Sequence, residues 1–216
     1  MERSRDPRRK RMVRRQLAAR GITDRRVLAA MAAVPRERFV PLHLFDKAYD
    51  DSPLPVGYDQ TISQPYIVAL MTQEARLTRR SSVLEVGTGT GYHTAILATL
   101  ARHVWSVERL SGLSHDARGR LELLGIHNVT LVVGDGALGY PEAAPFDAIV
   151  VAAAAPSPPR PLLDQLAMGG RMVIPIGDLA LQEMVIVERS ESGYRERHAG
   201  PCRFVPLVSA EAFGEA

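Results

Sequence analysis

Three acidic residues that stand where predicted strands end are the clearest candidates for chemistry in this sequence. Glu85 lies at the end of one apolar run, Glu108 ends the next, and Asp135 follows the third. Because the carboxyl ends of parallel strands lie along one edge of a sheet, we expect the three carboxylates to meet there. Glu85 would repel a pyrophosphate but suits an ammonium group. Glu108 could accept hydrogen bonds from two ribose hydroxyls, and Asp135 could accept an adenine amino proton.

The turn after Glu85 is rich in glycine and narrows the choice of ligand. VLEVGTGTGYHTAIL, residues 83–97, reads as a strand, a turn that a ligand can approach closely, and the start of a helix. The spacing is G-x-G-x-G, and Tyr92 stands where a dinucleotide site needs its last glycine, which argues against a nicotinamide dehydrogenase. S-adenosylmethionine carries an ammonium and a sulfonium and has no phosphate, so it is the cofactor that these carboxylates favour.

Short β-forming runs that alternate with helical stretches must position these residues. The predicted strands are Ser82–Val86, His103–Val107, Val129–Val133, Phe146–Val151 and Arg171–Pro175, followed by antiparallel edge strands at Leu181–Val187 and Cys202–Val208. The predicted helices of this part are Tyr92–Ala101, Gly112–Leu124 and Pro161–Ala167. Apolar strands separated by helices are typical of a parallel sheet covered on both faces. The predicted fold is α/β, a doubly wound, mostly parallel sheet of the seven-stranded, Rossmann-like type with helices on both faces.

The length of 216 residues favours a single domain, in which a helical section precedes the sheet. Apolar residues recur at helical spacing from Met12 to Val34, with a break at 21–24, and again from Pro65 to Leu77. Residues 35–60 carry four prolines and read as loop with short pieces of structure. We expect residues 1–11 to form a basic, flexible arm, 12–80 the helical section, and 81–190 the cofactor-binding core.

Charge and composition indicate a soluble, cytoplasmic protein that binds neither nucleic acid nor membrane. The net charge is +3, but residues 1–15 hold eight Arg or Lys against two acids, which leaves a mildly acidic body without a basic groove. The longest apolar run, 148–155, is too short to cross a bilayer, and no signal segment is evident. Cys202 is the single cysteine, which fits a reducing compartment and, without a neighbouring His, an inert thiol. The histidines lack metal-ligand spacing, so no metal is expected. A monomer is the default expectation.

Two further stretches point to a family. DQTISQPY, residues 59–66, precedes the glycine turn, and RFVPL, residues 203–207, lies near the C-terminus. Together with VPRERFVP, SVER, GDG, FDAIVV and GGRMVIPIG, they make the chain resemble the bacterial form of protein-L-isoaspartate O-methyltransferase, from about Met12 to Ala210. These enzymes are class I S-adenosylmethionine-dependent methyltransferases. Their glycine turn is widely shared, whereas TISQP with RFVPL is specific.

The resemblance implies methyl transfer from S-adenosylmethionine to the free α-carboxylate of L-isoaspartyl residues in damaged peptides and proteins. S-adenosylhomocysteine is then the product, and the ester begins repair to aspartate. The family's active-site serine falls on Ser63, and its substrate contacts are predicted at Thr61, Ile62, Phe204, Val205 and Pro206. The predicted cofactor contacts are Glu85, Gly87, Thr88, Gly89, Gly91, His93, Glu108, Asp135 and Gly136. Residues 12–80 then include a substrate loop, and 191–216 form a C-terminal strand and substrate cover.

Several alternatives stay open from the sequence. Ser63 also suits a helix N-cap, and His93 replaces a more usual amide and could be a satisfied helix-start histidine. Asp59 stands where glycine is common and adds a negative charge near the predicted acceptor site. A class I methyltransferase that acts on RNA or a small molecule would share residues 83–147 but would leave TISQP and RFVPL unexplained. A non-enzymatic binding module would have no need for all three carboxylates.

Overall fold

The computed structural model describes residues 6–214 and contains two β-sheets. The smaller sheet is a hairpin of β1 (Leu54–Gly57) and β2 (Gln60–Ile62). The strands of the larger sheet are β3 (Ser82–Val86), β4 (His103–Glu108), β5 (Val129–Val133), β6 (Phe146–Val151), β7 (Leu166–Gly177), β8 (Gln182–Ser190) and β9 (Gly193–Cys202). The α-helices are α1 (Pro7–Met12), α2 (Arg25–Ala33), α3 (Pro65–Glu74), α4 (Tyr92–Leu100), α5 (Ser111–Leu123) and α6 (Arg160–Asp164).

The seven-stranded sheet confirms the predicted α/β fold. Its strand order is β5-β4-β3-β6-β7-β8-β9, with parallel pairing from β5 to β7 and antiparallel pairing at β8 and β9. The chain leaves β3 towards β4 on one side and returns to β6 on the other. This reversal creates a crevice at the carboxyl end of β3, where ligands bind in open α/β sheets.

Alternating apolar side chains bury both faces of the sheet. Val83 packs on the side of α3 and α4, in one cluster with Met71 and Leu97. Leu84 packs on the opposite side, in a cluster with Leu162 of α6. All five residues of β3 are buried, as a central parallel strand requires. The carboxyl end of β3 is therefore held rigidly from both sides.

The N-terminal arm is the first correction to the sequence predictions. Residues 6–11 are ordered, since Asp6 caps α1 through the amide of Arg8 (2.8 Å) and Arg9 is buried. The Arg9 guanidinium donates to Tyr49 Oη (2.8 Å) and pairs with Glu37 (3.0 Å). The predicted flexible arm is therefore wrong for residues 6–11, because the periodicity of so short and basic a segment does not reveal a buried arginine. Residues 1–5, and residues 215–216 of the C-terminal segment, lie outside the described part.

Three further boundaries differ from the predictions. The predicted helix to Ala167 ends at Asp164, and β7 already begins at Leu166. The predicted strand Cys202–Val208 is wrong: β9 ends at Cys202, where prolines interrupt further pairing. The β1–β2 hairpin supplies short structure of the kind expected in the proline-rich region, but its two strands were not predicted, because proline and glycine hide their short pattern. Within residues 6–214, every helix falls short of the length and apolarity that a bilayer crossing requires.

Candidate active site

A cavity of about 700 Å³ opens at the carboxyl ends of β3, β4 and β6. One side is formed by the turn Gly87–His93 with Glu108 and Gly136, which we name the cofactor wall. The other side is formed by Thr61–Gln64 and Arg203–Val208, which we name the acceptor wall. The volume lies within the range of pockets that enclose a small ligand.

The cofactor wall is shaped by glycines that admit a ligand to the backbone. Gly87 has a φ of +89°, a left-handed conformation that favours glycine, and a Cβ there would lie 3.4 Å from the Ala152 side chain. A Cβ at Gly136 would lie 2.4 Å from Val86 Cγ1. Both positions line the cavity, as predicted, together with Thr88 and Gly89. The turn therefore presents backbone to the cavity.

Glu108 lies at the floor of the cofactor wall and is 8% exposed. Its Oε2 accepts from the amide of Gly89 (2.9 Å), and its Oε1 accepts from the amide of Leu110 (3.0 Å). Each carboxylate oxygen retains a second acceptor site, which suits a pair of hydroxyl donors. The structure thus brings Glu108 to the predicted place with its orientation fixed by two backbone amides.

Glu85 lies behind the glycine turn and is fully buried, outside the residues that line the cavity. Its Oε2 accepts from Thr94 Oγ1 (2.5 Å) and Ser106 Oγ (2.6 Å), whereas its Oε1 has no hydrogen-bond partner in the described part of the chain. Burial raises the pKa of the carboxyl to about 7, although the two hydroxyls lower it and Glu108 raises it further. An unpaired buried carboxylate fits a cationic partner nearby. A direct cofactor contact by Glu85 stays a prediction.

Asp135 and Gly91 do not line the cavity either. Asp135 caps a short 3₁₀ helix, Gly136–Leu138: its Oδ1 accepts from the amide of Ala137 (2.9 Å), and its Oδ2 accepts from Ser209 Oγ (2.7 Å). Gly91 is the N-cap of α4 with a φ of +87°, and a Cβ there would lie 3.2 Å from Ala117. Gly91 therefore allows close helix packing, and Asp135 is joined to the C-terminal segment.

His93 lines the cavity as a neutral side chain whose tautomer follows from its partner. Thr72 Oγ1 donates to the carbonyl of Val68 (2.7 Å), so its oxygen accepts from His93 Nε2 (3.0 Å). Nδ1 then holds the lone pair and is an acceptor. Burial lowers the pKa of the imidazole to about 3, so the ring is uncharged at neutral pH. His93 is both hydrogen-bonded and exposed to the cavity, which leaves its cofactor contact a prediction.

Ser63 lies in the acceptor wall, between β2 and α3. The N-cap of α3 is Gln64, not Ser63, so the capping alternative for Ser63 is wrong. Thr61 and Ile62 belong to β2, and all three predicted residues line the cavity. Gln64 donates to the carbonyl of Asp51 (3.0 Å), which anchors the segment to the chain just before β1.

The segment Arg203–Val208 closes the acceptor wall as extended chain beside the sheet. Ala154, just past the end of β6, donates to the carbonyl of Val205 (2.8 Å) and accepts from the amide of Leu207 (2.7 Å). The amide of Phe204 donates to Gln182 Oε1 (2.9 Å). Phe204, Val205 and Pro206 line the cavity, as predicted. These residues line the cavity although the segment is extended chain and not the predicted strand Cys202–Val208.

The tip of the β1–β2 hairpin completes the rim. Tyr58 and Asp59 have φ values of +54° and +55°, so both lie in the left-handed region typical of a tight hairpin turn. Asp59 is exposed at the cavity mouth. Tyr58 sits against α5 at Gly112, where a Cβ would come within 2.5 Å of Tyr58 Oη. The hairpin is thus seated on the first turn of α5.

Several lining residues escaped sequence reasoning. Among them are Thr90, Tyr92, Arg109, Leu110, Leu113, Ala152 and Ala153. Arg109 and Leu110 directly follow the predicted end of β4, and Ala152 and Ala153 directly follow β6. The rule that the carboxyl edge carries the site could have found them.

Metal ligation and thiol chemistry are the remaining possibilities to consider within residues 6–214. In residues 6–214, no cluster of His, Cys, Asp and Glu could hold a metal ion. Cys202 lines the cavity edge, and burial, with Glu183 nearby, raises the pKa of its thiol to about 11. A thiol with this pKa is protonated at neutral pH and is a poor nucleophile.

Known proteins share this sequence over nearly its whole length. The family model for Protein-L-isoaspartate(D-aspartate) O-methyltransferase (PCMT) matches residues 8–212. The chain is 54% identical over 200 residues to protein-L-isoaspartate O-methyltransferase 1 of Syntrophobacter fumaroxidans, which covers 93% of this chain and 94% of that one. It is 52% identical over 200 residues to the protein-L-isoaspartate O-methyltransferase of Methanoregula boonei, with coverage of 93% and 92%.

Solved structures agree in architecture. A protein-L-isoaspartate O-methyltransferase matches with a TM-score of 0.83 at 29% identity, over 94% of this chain and 67% of that one. A Plasmodium falciparum protein described as a protein-L-isoaspartate O-methyltransferase, in complex with S-adenosyl-L-homocysteine, matches with a TM-score of 0.80 at 27% identity, over 93% and 98%. The chain therefore belongs to the protein-L-isoaspartate(D-aspartate) O-methyltransferase family.

Proposed function

We propose that this chain transfers a methyl group from S-adenosyl-L-methionine to the free α-carboxylate of L-isoaspartyl residues in damaged peptides and proteins, the first step of repair to aspartate. The observation that carries the proposal is that Ser63 and Arg203–Val208 line one cavity with Gly87 and Glu108. Family membership over residues 8–212 supports the same reaction.

The residues of the cofactor wall suit S-adenosylmethionine. Glu108 would accept from the ribose hydroxyls, and Gly87 and Gly136 would leave room for the nucleoside against the backbone. Glu85, with its unpaired Oε1, would supply negative potential near the ammonium, and Asp135 would do so near the adenine. When bound, the cofactor supplies an electrophilic methyl group on a sulfonium.

The acceptor needs placement more than proton transfer. An α-carboxylate has a pKa of ~4, so it is ionised at neutral pH and requires no general base. The Ser63 hydroxyl would donate a hydrogen bond to one carboxylate oxygen and leave the other free to face the methyl group. Thr61 and Ile62 would exclude water on that side, and alignment of the reacting atoms supplies the main rate enhancement.

The acceptor peptide would be held by Phe204, Val205 and Pro206. Extended backbone such as this can pair with a peptide without selecting its side chains. This suits a repair enzyme, whose substrates share one damaged linkage in many sequences. Arg203 at the edge of the segment would add positive charge close to the acidic acceptor.

The test is methyl transfer to a matched pair of synthetic peptides. One peptide contains L-isoaspartate and its twin contains normal aspartate at the same position. With labelled methyl donor, the isoaspartyl peptide should gain base-labile label and the twin should gain none. Equal labelling of the two, or transfer only to an RNA or small-molecule acceptor, would overturn the proposed function.

A cytoplasmic location and a monomeric state complete the proposal. The single cysteine, whose thiol stays protonated, suits a reducing compartment. Sedimentation of the purified protein would test the monomer, and fractionation of the source cells would test the location.

A further inference from the structure

Arg36 is a fully buried charged side chain outside the cavity. It lies in the PRERFVP stretch, at the start of a 3₁₀ helix (Arg36–Phe39), and its exposure is 0%. Its Nε donates to the carbonyl of Ala48 (2.7 Å), and its guanidinium lies over the ring of Tyr92, 4.9 Å from the centroid. Both Nη atoms are buried without a hydrogen-bond partner in the described chain. A buried guanidinium with free donors is unfavourable unless something satisfies them.

Two acceptors that lack a partner belong to the same part of the molecule. Gln16 donates its amide to the carbonyl of Tyr49 (2.9 Å), but its Oε1 is buried and unpaired. Asp51 pairs with Arg20 through Oδ2, but its Oδ1 is buried and unpaired. Of the five buried side-chain atoms in residues 6–214 that lack a partner, four therefore belong to residues that lie in or bond to the segment Ala48–Asp51.

These four atoms match the hydrogen-bonding capacity of buried water. The two Nη atoms are donors, and Oε1 of Gln16 and Oδ1 of Asp51 are acceptors. A buried water makes about three hydrogen bonds to groups that otherwise lack partners. Water is the ligand whose donors and acceptors complement all four atoms.

The segment Ala48–Asp51 connects this cluster to Ser63. The carbonyl of Asp51 accepts from Gln64 Nε2 (3.0 Å), and Gln64 is the N-cap of α3 directly after Ser63. Arg20, the partner of Asp51, also lies over the ring of Tyr66, 3.8 Å from its centroid. A shift of Ala48–Asp51 would therefore move the chain directly after Ser63, at Gln64 and Tyr66.

We propose that Arg36 is a positioning residue for Ser63, which acts through a buried water site shared with Gln16 and Asp51. The guanidinium and its water fix Ala48–Asp51, and this segment fixes Gln64 and the direction of the Ser63 hydroxyl. The inference rests on the proposed function and adds to it the device that holds the acceptor wall.

The experiment is a double-mutant cycle with Arg36→Lys and Gln64→Ala. The rate of methyl transfer to the isoaspartyl peptide is measured at saturating donor, per folded molecule. Each single variant should lose about 10-fold in kcat, since small misplacements of reacting groups are costly. Because both residues act through the same chain of contacts to Ser63, their effects should not add. The kcat of the double variant should be no more than about twofold below that of the less active single variant. A double variant at the product of the two losses would overturn the proposal.

Arg171→Lys is the matched control for a purely structural arginine. The side chain of Arg171 is also largely buried and pairs with Glu188 (2.7 Å). It lies near the amino-terminal ends of the parallel strands, away from the cavity. This variant should lower the melting temperature and leave kcat unchanged. If Arg36→Lys also lowers only the melting temperature, Arg36 is structural and the proposal is wrong.

Asp51→Asn provides the same test if Arg36→Lys does not fold. It retains the size of the side chain and removes its charge, and we expect a several-fold loss in kcat that is again non-additive with Gln64→Ala. Full activity of Asp51→Asn would contradict the proposal.

Wild-type protein that fails to methylate the isoaspartyl peptide would instead refute the proposed function, so the two failures are distinct. A crystal structure should show the water on Arg36 and Asp51, and a dry cluster would count against the inference.

Discussion

The two walls of the cavity are built differently. The cofactor wall stands on the ends of central strands: all of β3 is buried, and Glu108 is fixed by two backbone amides. The acceptor wall consists of the end of β2, its connection to α3 and the extended segment Arg203–Val208. These parts are partly exposed and are held by a few hydrogen bonds to distant residues, among them Gln64 with Asp51 and Val205 with Ala154.

This difference separates two tasks. A cofactor of constant shape can be bound by a site that the sheet itself creates. Acceptors that vary in sequence and share one carboxylate need an adaptable surface around a fixed polar group. Binding of the donor and alignment of the acceptor should therefore respond to different substitutions.

The strongest separation is expected for Ser63→Ala. Loss of a hydrogen bond to a charged oxygen should lower kcat about 100-fold. The affinity for S-adenosylhomocysteine, measured by calorimetry, should change less than about threefold because the cofactor wall is intact. Equal losses in turnover and cofactor affinity would show that the two walls do not have separate functions and would contradict this division.

The converse is expected for Glu108→Gln. Removing the charge that would accept from the ribose hydroxyls should weaken S-adenosylhomocysteine binding about 30-fold. At saturating donor, kcat should stay within a few-fold of the wild type, since Ser63 is untouched. A large loss of kcat with unchanged affinity for S-adenosylhomocysteine would show that Glu108 acts in methyl transfer and not in cofactor binding.

Ser209→Ala should sharpen the comparison, because Ser209, directly after the acceptor wall, bonds to Asp135, directly before Gly136 of the cofactor wall. Its hydroxyl donates to Asp135, so its loss should loosen Arg203–Val208 and raise the KM for the isoaspartyl peptide about fivefold. Ser192→Ala, which alters an exposed hydroxyl pair in the β8–β9 turn, is the matched control and should have no effect. If Ser209→Ala and Ser192→Ala have the same KM for the isoaspartyl peptide, the contact with Asp135 does not hold Arg203–Val208 in place.

The smallest effect concerns the pH dependence of stability through Glu85. Its pKa is raised from 4.5 to about 7 in the folded state, so between these values the folded protein binds a proton that the unfolded chain has released. Stability from this group therefore falls as pH rises from 4.5 to 7 and changes little above 7. Relative to wild type, Glu85→Gln should gain in melting temperature between pH 5 and pH 8. If the difference in melting temperature between Glu85→Gln and the wild type is constant from pH 5 to pH 8, the pKa of the Glu85 carboxyl is not raised.

Reasoning from the residues alone places part of the cofactor wall and none of the acceptor wall, for a physical reason. Glu108 and the glycine turn follow from strand ends and backbone sterics, which are local properties. The positions of Ser63 and Val205 depend on distant partners such as Asp51 and Ala154, which no periodicity reveals. Only the family resemblance pointed to them.

The corrections have the same cause. Arg9 reads as part of a charged arm, but Tyr49 and Glu37 satisfy its guanidinium inside the protein. Asp135 reads as a strand-end carboxylate that could accept an adenine amino proton, and the structure adds a bond from Ser209 to one of its oxygens that the sequence does not indicate. Long-range polar contacts of this kind decide where irregular segments lie, and a single sequence does not record them.

The pH profile of kcat/KM for the isoaspartyl peptide, at saturating donor, tests most directly whether the site works by placement. The acceptor is ionised above its pKa of ~4, and His93 is neutral throughout. Because the donor is saturating, titration of Glu85 changes only donor affinity, so the rate constant should be flat from pH 6 to 9. A bell-shaped profile, or a limb near pH 7 that requires a deprotonated base, would contradict the account.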